Sequence, residues 1–518
     1  MCTKRIAIHL LIFLLLTGCA RPVESSTPLA APPSNTAPPA AATPASTPVA
    51  APLPTPLPRP RPVRTQYQLT ARYDPDVQIL EVVEGITYVN LTSEAIPNLI
   101  LMVEANRSAG MFELNSLTRA DGTPLEGYSL DGGVLTLPLP APIPPAGSLD
   151  LKLSYRLYLY EGDGILGANA RQTNFGDWYP YLPPYLPGQG WVVHEPADVG
   201  EHLSYDLADY QVEIQVNDPQ NTLVIAASAP AESSTQGVYR YHLEAARSFA
   251  WSASREYQML HSTVSGVELY AALLPEDLPA GNNALTIMGQ ALEFYSQRFG
   301  AYPHPSLTLV DAALFDGMEY EGLFFLDQVY FTTFASGPNS FLLPITAHET
   351  AHQWWYGMVG NDQALEPWLD EALCTYSELL FYQEKYPSDV SWWWDFRINR
   401  FQPEGWVDST IYDHTEFRSY VNAVYLRGAL FLDALRRQIG DESFLAFLKD
   451  YAGQYRQGWA DRAGFFKVLG AHTQANLSDL VSSYFMRSMP QSGESASASM
   501  FLPRLDGQTN SRLGSLKI

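Results

Sequence analysis

Two histidines stand four positions apart with a glutamate between them, in the run His348-Glu349-Thr350-Ala351-His352. The surrounding residues 345–357 are apolar and have helical spacing. Histidines at i and i+4 share a helix face, so both rings can converge on one metal ion at about 2.0–2.1 Å. Glu349 lies about 100° round the helix from His348, close enough to take a proton from a water at that metal without ligating it. The spacing fits the zinc-peptidase helix, yet chance produces such a pentapeptide on the order of once in a hundred chains this long. A third ligand is needed. Glu371, in Trp368-Leu369-Asp370-Glu371, follows His352 with eighteen residues between. That gap lets one helix end near residues 357–360, a loop reach Pro367 and a second helix return. Two histidines and a glutamate leave one position open for water. A solvated carboxylate at a helix N-terminus explains Glu371 at least as well, as it does Glu366 and Asp370.

Three segments taken together resemble the aminopeptidase N family of zinc peptidases, the gluzincin type that also includes leukotriene hydrolase. The first is His348, Glu349 and His352 with Glu371 at the family's usual spacing. The second, Gly317-Met318-Glu319-Tyr320-Glu321-Gly322, resembles its exopeptidase motif. The third, Tyr425-Leu426-Arg427-Gly428-Ala429-Leu430-Phe431, resembles the segment that supplies a catalytic tyrosine. The likeness runs from about residue 267 to 488. It implies an α+β chain, with a β-rich, saddle-like N-terminal domain followed by a thermolysin-like, mainly helical catalytic domain. It also implies one Zn2+ per chain on His348, His352 and Glu371. Glu349 would be the general base that returns its proton to the leaving amine, and Tyr425 would donate to the developing oxyanion. Glu319, with Gly317 and Met318, would bind substrate and pair with the free α-ammonium of a peptide.

An aminopeptidase acting on peptides with a free N-terminus is therefore expected. Two rivals are a zinc endopeptidase with an open cleft, where Glu319 merely lines it, and a non-catalytic peptide-binding lipoprotein. Asp370 stands where the family usually has asparagine. The second amine-binding residue has no recognisable motif, although Asp177 and Glu195 are near its expected region. Tyr420 reads as packing, and Gly317 serves either a close backbone approach or a plain turn. The similarity ends near residue 488, without the helical roof of many members, so a more open cleft is expected.

The elements that must position these residues are legible in outline. Period-two patterning at 82–89, 151–158, 210–216 and 223–227 predicts strands, separated by turn clusters. Residues 178–185 are too proline-rich for a central strand and read as a loop facing the neighbouring domain or as an aromatic corner at the surface. Residues 284–299 have helical spacing and end at Gly300 with Pro303 beyond. Strands are expected at 306–311 and 323–332, and helices at 345–357, 368–386, 421–439 and 443–451. The tryptophans at 354–355 and 392–394 read as packing, and Cys374 as a small buried residue. Domain bounds follow at 65–262 for the β-rich part, 263–490 for the catalytic part and 491–518 for a disordered tail.

Ahead of these, Lys4 and Arg5 precede an apolar run to Leu16 and then Leu16-Thr17-Gly18-Cys19. That pattern fits a secretory signal over 1–18 and resembles the lipobox of bacterial lipoproteins. Cys19 would become the lipidated membrane anchor, and the Ala/Pro/Ser/Thr-rich stretch 19–64 an extended tether. An extracytoplasmic lipoprotein of the cell envelope is expected, as a monomer. The whole chain has 31 Lys+Arg against 55 Asp+Glu, a charge of −24. The first 64 residues carry five net positive charges, which leaves −29 on residues 65–518. Nucleic acid is excluded as a partner, because phosphate contacts need clustered Lys and Arg.

Overall fold

A computed structural model of the chain describes residues 64–489. The signal segment, Cys19, the tether up to residue 63 and the tail from 491 lie outside the described residues. Among those described, no helix is long and apolar enough to cross a membrane.

The N-terminal lobe is built on a seven-stranded sheet. Its order is Ser233–Thr235, Val238–Ala246, Ala208–Val216, Thr65–Asp74, Ile79–Val89, Ser148–Tyr158, Phe112–Arg119. Neighbours are antiparallel except the central pair, where Thr65–Asp74 runs parallel to Ala208–Val216 with Tyr67 beside Tyr210. Alternation decides which face is buried. Tyr67, Leu69, Ala71 and Tyr73 point into the core while Gln66, Gln68, Thr70 and Arg72 are exposed, as a sheet with one wet face requires.

The second lobe begins with a five-stranded sheet ordered Gln258–Val264, Val267–Leu273, Ser306–Ala312, Leu323–Asp327, Gly317–Tyr320. Its three middle strands are parallel and its two edges antiparallel. The first parallel crossover is made by helix α1 (Leu278–Phe299). Helix α2 (Gln328–Thr332) follows the sheet, then α3 (Leu342–Ala351) and α4 (Glu371–Lys385). All ten residues of α3 are buried, because α1 and α4 both pack on it. The α+β architecture is therefore a β-rich lobe followed by a mainly helical one.

Several expected bounds shift. The boundary at 262/263 falls inside Gln258–Val264, which hydrogen-bonds to Val267–Leu273 and so belongs to the second lobe. The strand expected over 323–332 stops at Asp327, whose carboxylate accepts from the Val329 amide and starts α2. The helix expected over 345–357 is finished by His352. Tyr356 takes a φ of +125°, and the chain turns back through hydrogen bonds from Gly357 to His352 and from Val359 to Trp354. The helix expected over 368–386 is interrupted at Asp370, which caps α4 by accepting from the Glu371 amide at 2.9 Å. Residues 421–439 are not one α-helix, since Asn422–Leu426 is a π turn between Phe417–Val421 and Arg427–Ile439. The aromatic loop 178–185 is no surface corner. Trp178, Tyr179, Tyr181 and Leu182 are buried in the N-terminal core. Trp354, Trp355 and Cys374 are fully buried, as packing residues should be.

The lobes are joined by a buried arginine. Arg247, just beyond Val238–Ala246, donates to the carbonyls of Tyr356, Gly357, Tyr205 and Gly458, while its own amide donates to Glu321 Oε2 at 2.7 Å. Four hydrogen bonds from the guanidinium to carbonyls of both lobes hold one rigidly against the other.

Candidate active site

Helix α3 supplies His348, Glu349 and His352, and the first residue of α4 is Glu371. Because Asp370 caps α4, the Glu371 side chain is directed back across α3. Its Oε2 lies 3.2 Å from His348 Nε2 and 3.6 Å from His352 Nε2. Ligand atoms bound tetrahedrally at about 2.0–2.1 Å are separated by roughly 3.3 Å, so this spacing fits a zinc ion. The outer ring nitrogens are already engaged. His348 Nδ1 meets Glu378 Oε1 at 2.9 Å, and His352 Nδ1 donates to the Trp355 carbonyl at 3.1 Å. Both Nε2 lone pairs are thereby turned toward Glu371, the arrangement metal-ligating histidines need.

Glu319, Glu349 and His352 also lie close enough together to hold an ion. His352 Nδ1, which faces Glu319 at 4.0 Å, is spent on the Trp355 carbonyl. The His348, His352 and Glu371 set is therefore the better fit. Glu378, absent from the sequence reading, is anchored by Trp393 Nε1 at 2.9 Å and by Arg397 Nε and Nη2 at 3.0 and 2.9 Å. Burial raises its carboxyl, but Arg397 and the hydrogen bonds outweigh that and hold it below the usual range.

His348, Glu349, His352, Glu371 and Arg397 line a cleft of about 360 Å³ together with Gly317, Met318, Glu319, Glu201 and Tyr425. Glu319 lies on the edge strand Gly317–Tyr320, opposite Phe324, and accepts from Gln363 Nε2 at 2.8 Å. Met318 is half-buried on the cleft wall. Gly317 is needed for a reason the sequence did not suggest, since a Cβ there would run into the Glu349 carboxylate. Tyr425 is carried by the π turn, a feature found often at functional sites. Its ring stacks on His348 at 5.9 Å and 5°, and on its other side meets Tyr420 edge-on at 5.6 Å. Tyr420 is fully buried and does not line the cleft.

The second acidic residue that motif reading missed is Glu201, on an irregular loop of the N-terminal lobe, beside Glu319 in the cleft wall. Nothing in its spacing distinguishes it, because only the packing of one lobe on the other brings it there. Gly200, at φ +74°, has no room for a Cβ beside Ile411 and Tyr420, and this close approach sets the loop. Neither earlier candidate reaches the cleft. Asp177 is buried behind the edge strand, accepting from the hydroxyls of Tyr205 and Tyr320, and burial pushes it up to about 6. Glu195 is exposed and pairs with Arg107.

Burial and mutual repulsion raise the whole acidic group. Glu319 is pushed up by burial and then by Glu201 and Glu371. Glu371 is pushed up by burial, Asp370 and Glu201. Glu349 is raised by burial despite His348, and Asp370 reaches about 8 through burial and Glu201. His352 is driven well below the usual histidine range by burial and by His348. The Tyr425 hydroxyl is raised by burial and by Glu371. The neutral His352 imidazole beside crowded carboxylates makes a site that calls for added positive charge. Glu349 Oε2 and Asp370 Oδ2 have no hydrogen-bond partner among the described residues.

Residues 283–484 match the Peptidase family M1 domain. Over 248 residues the chain is 21% identical to "Probable aminopeptidase 2" of Sulfurisphaera tokodaii, covering 45% of this chain and 32% of that protein. Over 251 residues it is 26% identical to the "Thyrotropin-releasing hormone-degrading ectoenzyme" of Rattus norvegicus, covering 44% and 23%. The chain thus spans about a third or less of the length of these curated relatives. Its fold is similar to the crystal structure of the M1 zinc metallopeptidase from Deinococcus radiodurans. The TM-score is 0.60 and the identity 16%, over 82% of this chain and 94% of that one. Residues 283–484 thus resemble the M1 peptidase domain and the lobes share the fold of an M1 zinc metallopeptidase, so the chain is similar to M1 peptidases of the aminopeptidase type.

Proposed function

We propose that the protein is a zinc-dependent aminopeptidase that removes N-terminal residues from peptides outside the cytoplasm, held at a membrane through lipidated Cys19. The carrying observation is the pairing of Glu319 and Glu201 on one side of the His348, His352 and Glu371 set. Two carboxylates with no Lys or Arg partner among the described residues favour an α-ammonium at that end, and they measure a peptide from its first residue. Zinc, held by His348, His352 and Glu371, supplies Lewis acidity toward water and the scissile carbonyl.

The chain's own groups do the remaining work. Glu349 takes a proton from the attacking water as the water oxygen adds to the carbonyl carbon, and its raised carboxyl makes it a ready proton carrier. Tyr425 donates to the carbonyl oxygen as that oxygen gains charge. Glu349 then delivers the proton to the leaving nitrogen as the C–N bond breaks. Gly317 leaves the space in which the Glu349 carboxylate sits.

Free and N-acetylated peptides, compared on purified zinc-loaded protein, test this reading. The free peptide is expected to be cleaved and the blocked one spared, with the preference lost in Glu319→Gln. Equal turnover of the blocked peptide would make the protein an endopeptidase. Fatty-acid labelling that persists in Cys19→Ser would remove the anchor assignment.

A further inference from the structure

The metal-binding helix is flanked by opposite charges. On the His352 side stand Glu319, 4.0 Å from the ring, and Glu201. One turn away, His348 meets Glu378, and Glu378 meets Arg397. Arg397 spends Nε and Nη2 on the two Glu378 oxygens. Its third nitrogen, Nη1, has no hydrogen-bond partner among the described residues and is not sealed in, while the side chain lines the cleft.

Apart from Glu378, no described carboxylate lies within 4 Å of this guanidinium. Asp316, the next nearest in influence, already accepts from the Tyr330 hydroxyl. A second cation stands close by. Arg418 lies over the Phe401 ring at 4.3 Å and is held below the usual arginine range by burial and by the like charge of Arg397. Its neighbour Phe417 meets the exposed Phe315 edge-on at 4.9 Å, and both rings line the cleft.

A free peptide is itself a dipole. With its ammonium at Glu319 and Glu201 and its first peptide bond over His348 and His352, its leaving-group end points toward Arg397. Only the Glu378 carboxylate separates that guanidinium from His348, and successive Cα atoms are about 3.8 Å apart. An α-carboxylate one or two residues past the scissile bond would fall in the part of the cleft that Arg397 lines. A long peptide would bring only neutral carbonyls there, and guanidinium binds a carboxylate more strongly.

We propose that Arg397, with Arg418 at the rim, is an anion subsite on the leaving-group side of the cleft, and that the substrates are di- and tripeptides whose α-carboxylate it takes. This rests on the peptidase reading above. The test measures kcat and KM of the zinc-loaded full chain on Ala-Phe, Ala-Phe amide, Ala-Glu amide and alanine p-nitroanilide. The free acid should exceed its amide about ten-fold in kcat/KM, mainly through KM, and the ratio should shrink with salt.

Arg397→Gln should bring the acid-to-amide ratio near one, whatever becomes of the nitroanilide rate, which reports the hydrolytic centre alone. Arg418→Gln should lower the ratio about two- to three-fold, and it decides the matter should Arg397→Gln not fold. Equal use of acid and amide, with the nitroanilide still cleaved, overturns the subsite and leaves the peptidase reading standing. A preference for Ala-Glu amide over Ala-Phe assigns the arginines to an acidic side chain and overturns the α-carboxylate assignment. Absence of turnover on all four substrates overturns the aminopeptidase reading and the subsite with it.

Discussion

Glu84 and Glu349 are both buried carboxylates, 0% and 5% exposed, and burial raises both. Glu84 sits on an inward position of Ile79–Val89, facing the Tyr155 hydroxyl. No histidine or cleft lies beside it, and its oxygens have no hydrogen-bond partner among the described residues. Glu349 has two histidines beside it on its helix, the Glu371 carboxylate crossing from α4, a cleft in front and a glycine vacating its space. Burial is common to the two sites and therefore diagnoses nothing. Converging lone pairs and an opening through which a ligand can arrive make one of them a candidate for chemistry.

That contrast can be broken at graded strength. Glu349→Gln should lower kcat by about 10³-fold, within the range for a general base, with zinc content and circular dichroism unchanged. A variant that kept its rate would place Glu349 with Glu84. Glu378→Gln should weaken zinc binding by about 10- to 100-fold, read by competition with a chelator, because it orients His348. Glu201→Gln should raise KM for free peptides about ten-fold and leave N-acetylated ones uncleaved.

Glu84→Gln should leave turnover untouched and change only stability. A carboxyl raised in the folded state is protonated there while the unfolded chain ionises near 4.5. Stability is therefore fully present below that pH and falls by about 1.4 kcal/mol per unit above it, until the folded-state pKa is passed. In denaturant unfolding between pH 5 and 9 the variant should lose stability less steeply than the unaltered protein, by about this one group's share of the slope. Asp370→Asn should do least, within about two-fold in kcat/KM, since asparagine caps a helix as well as aspartate does.

The same contrast explains what could be read from the chain. His348, Glu349 and His352 are legible because i and i+4 on a helix is a local relation, and the strand at Ile79–Val89 is legible because alternation is local too. The breaks in the helices were not. Asp370 looks like any helical residue until its side chain is seen capping α4. The π turn under Tyr425 adds a residue that no period announces. Nor could the chain's order show that 258–264 joins the second sheet, since strand pairing is a non-local choice.

By itself the sequence supplied the candidate ligand types, their spacing, a proposed general base, the edge-strand glutamate and the lobe order, all of which reside in short runs of side-chain chemistry. Tertiary structure alone decided four things: that Glu201 rather than Asp177 or Glu195 joins Glu319, that Glu378 and Arg397 back His348, that Gly317 makes room for Glu349, and that Glu84 is sealed off. Each depends on distances between residues well separated along the chain, from 19 positions for Glu378 and Arg397 to 118 for Glu201 and Glu319. Only packing sets such distances, because the free energy that brings those groups together is spread over the whole core rather than carried by the residues themselves.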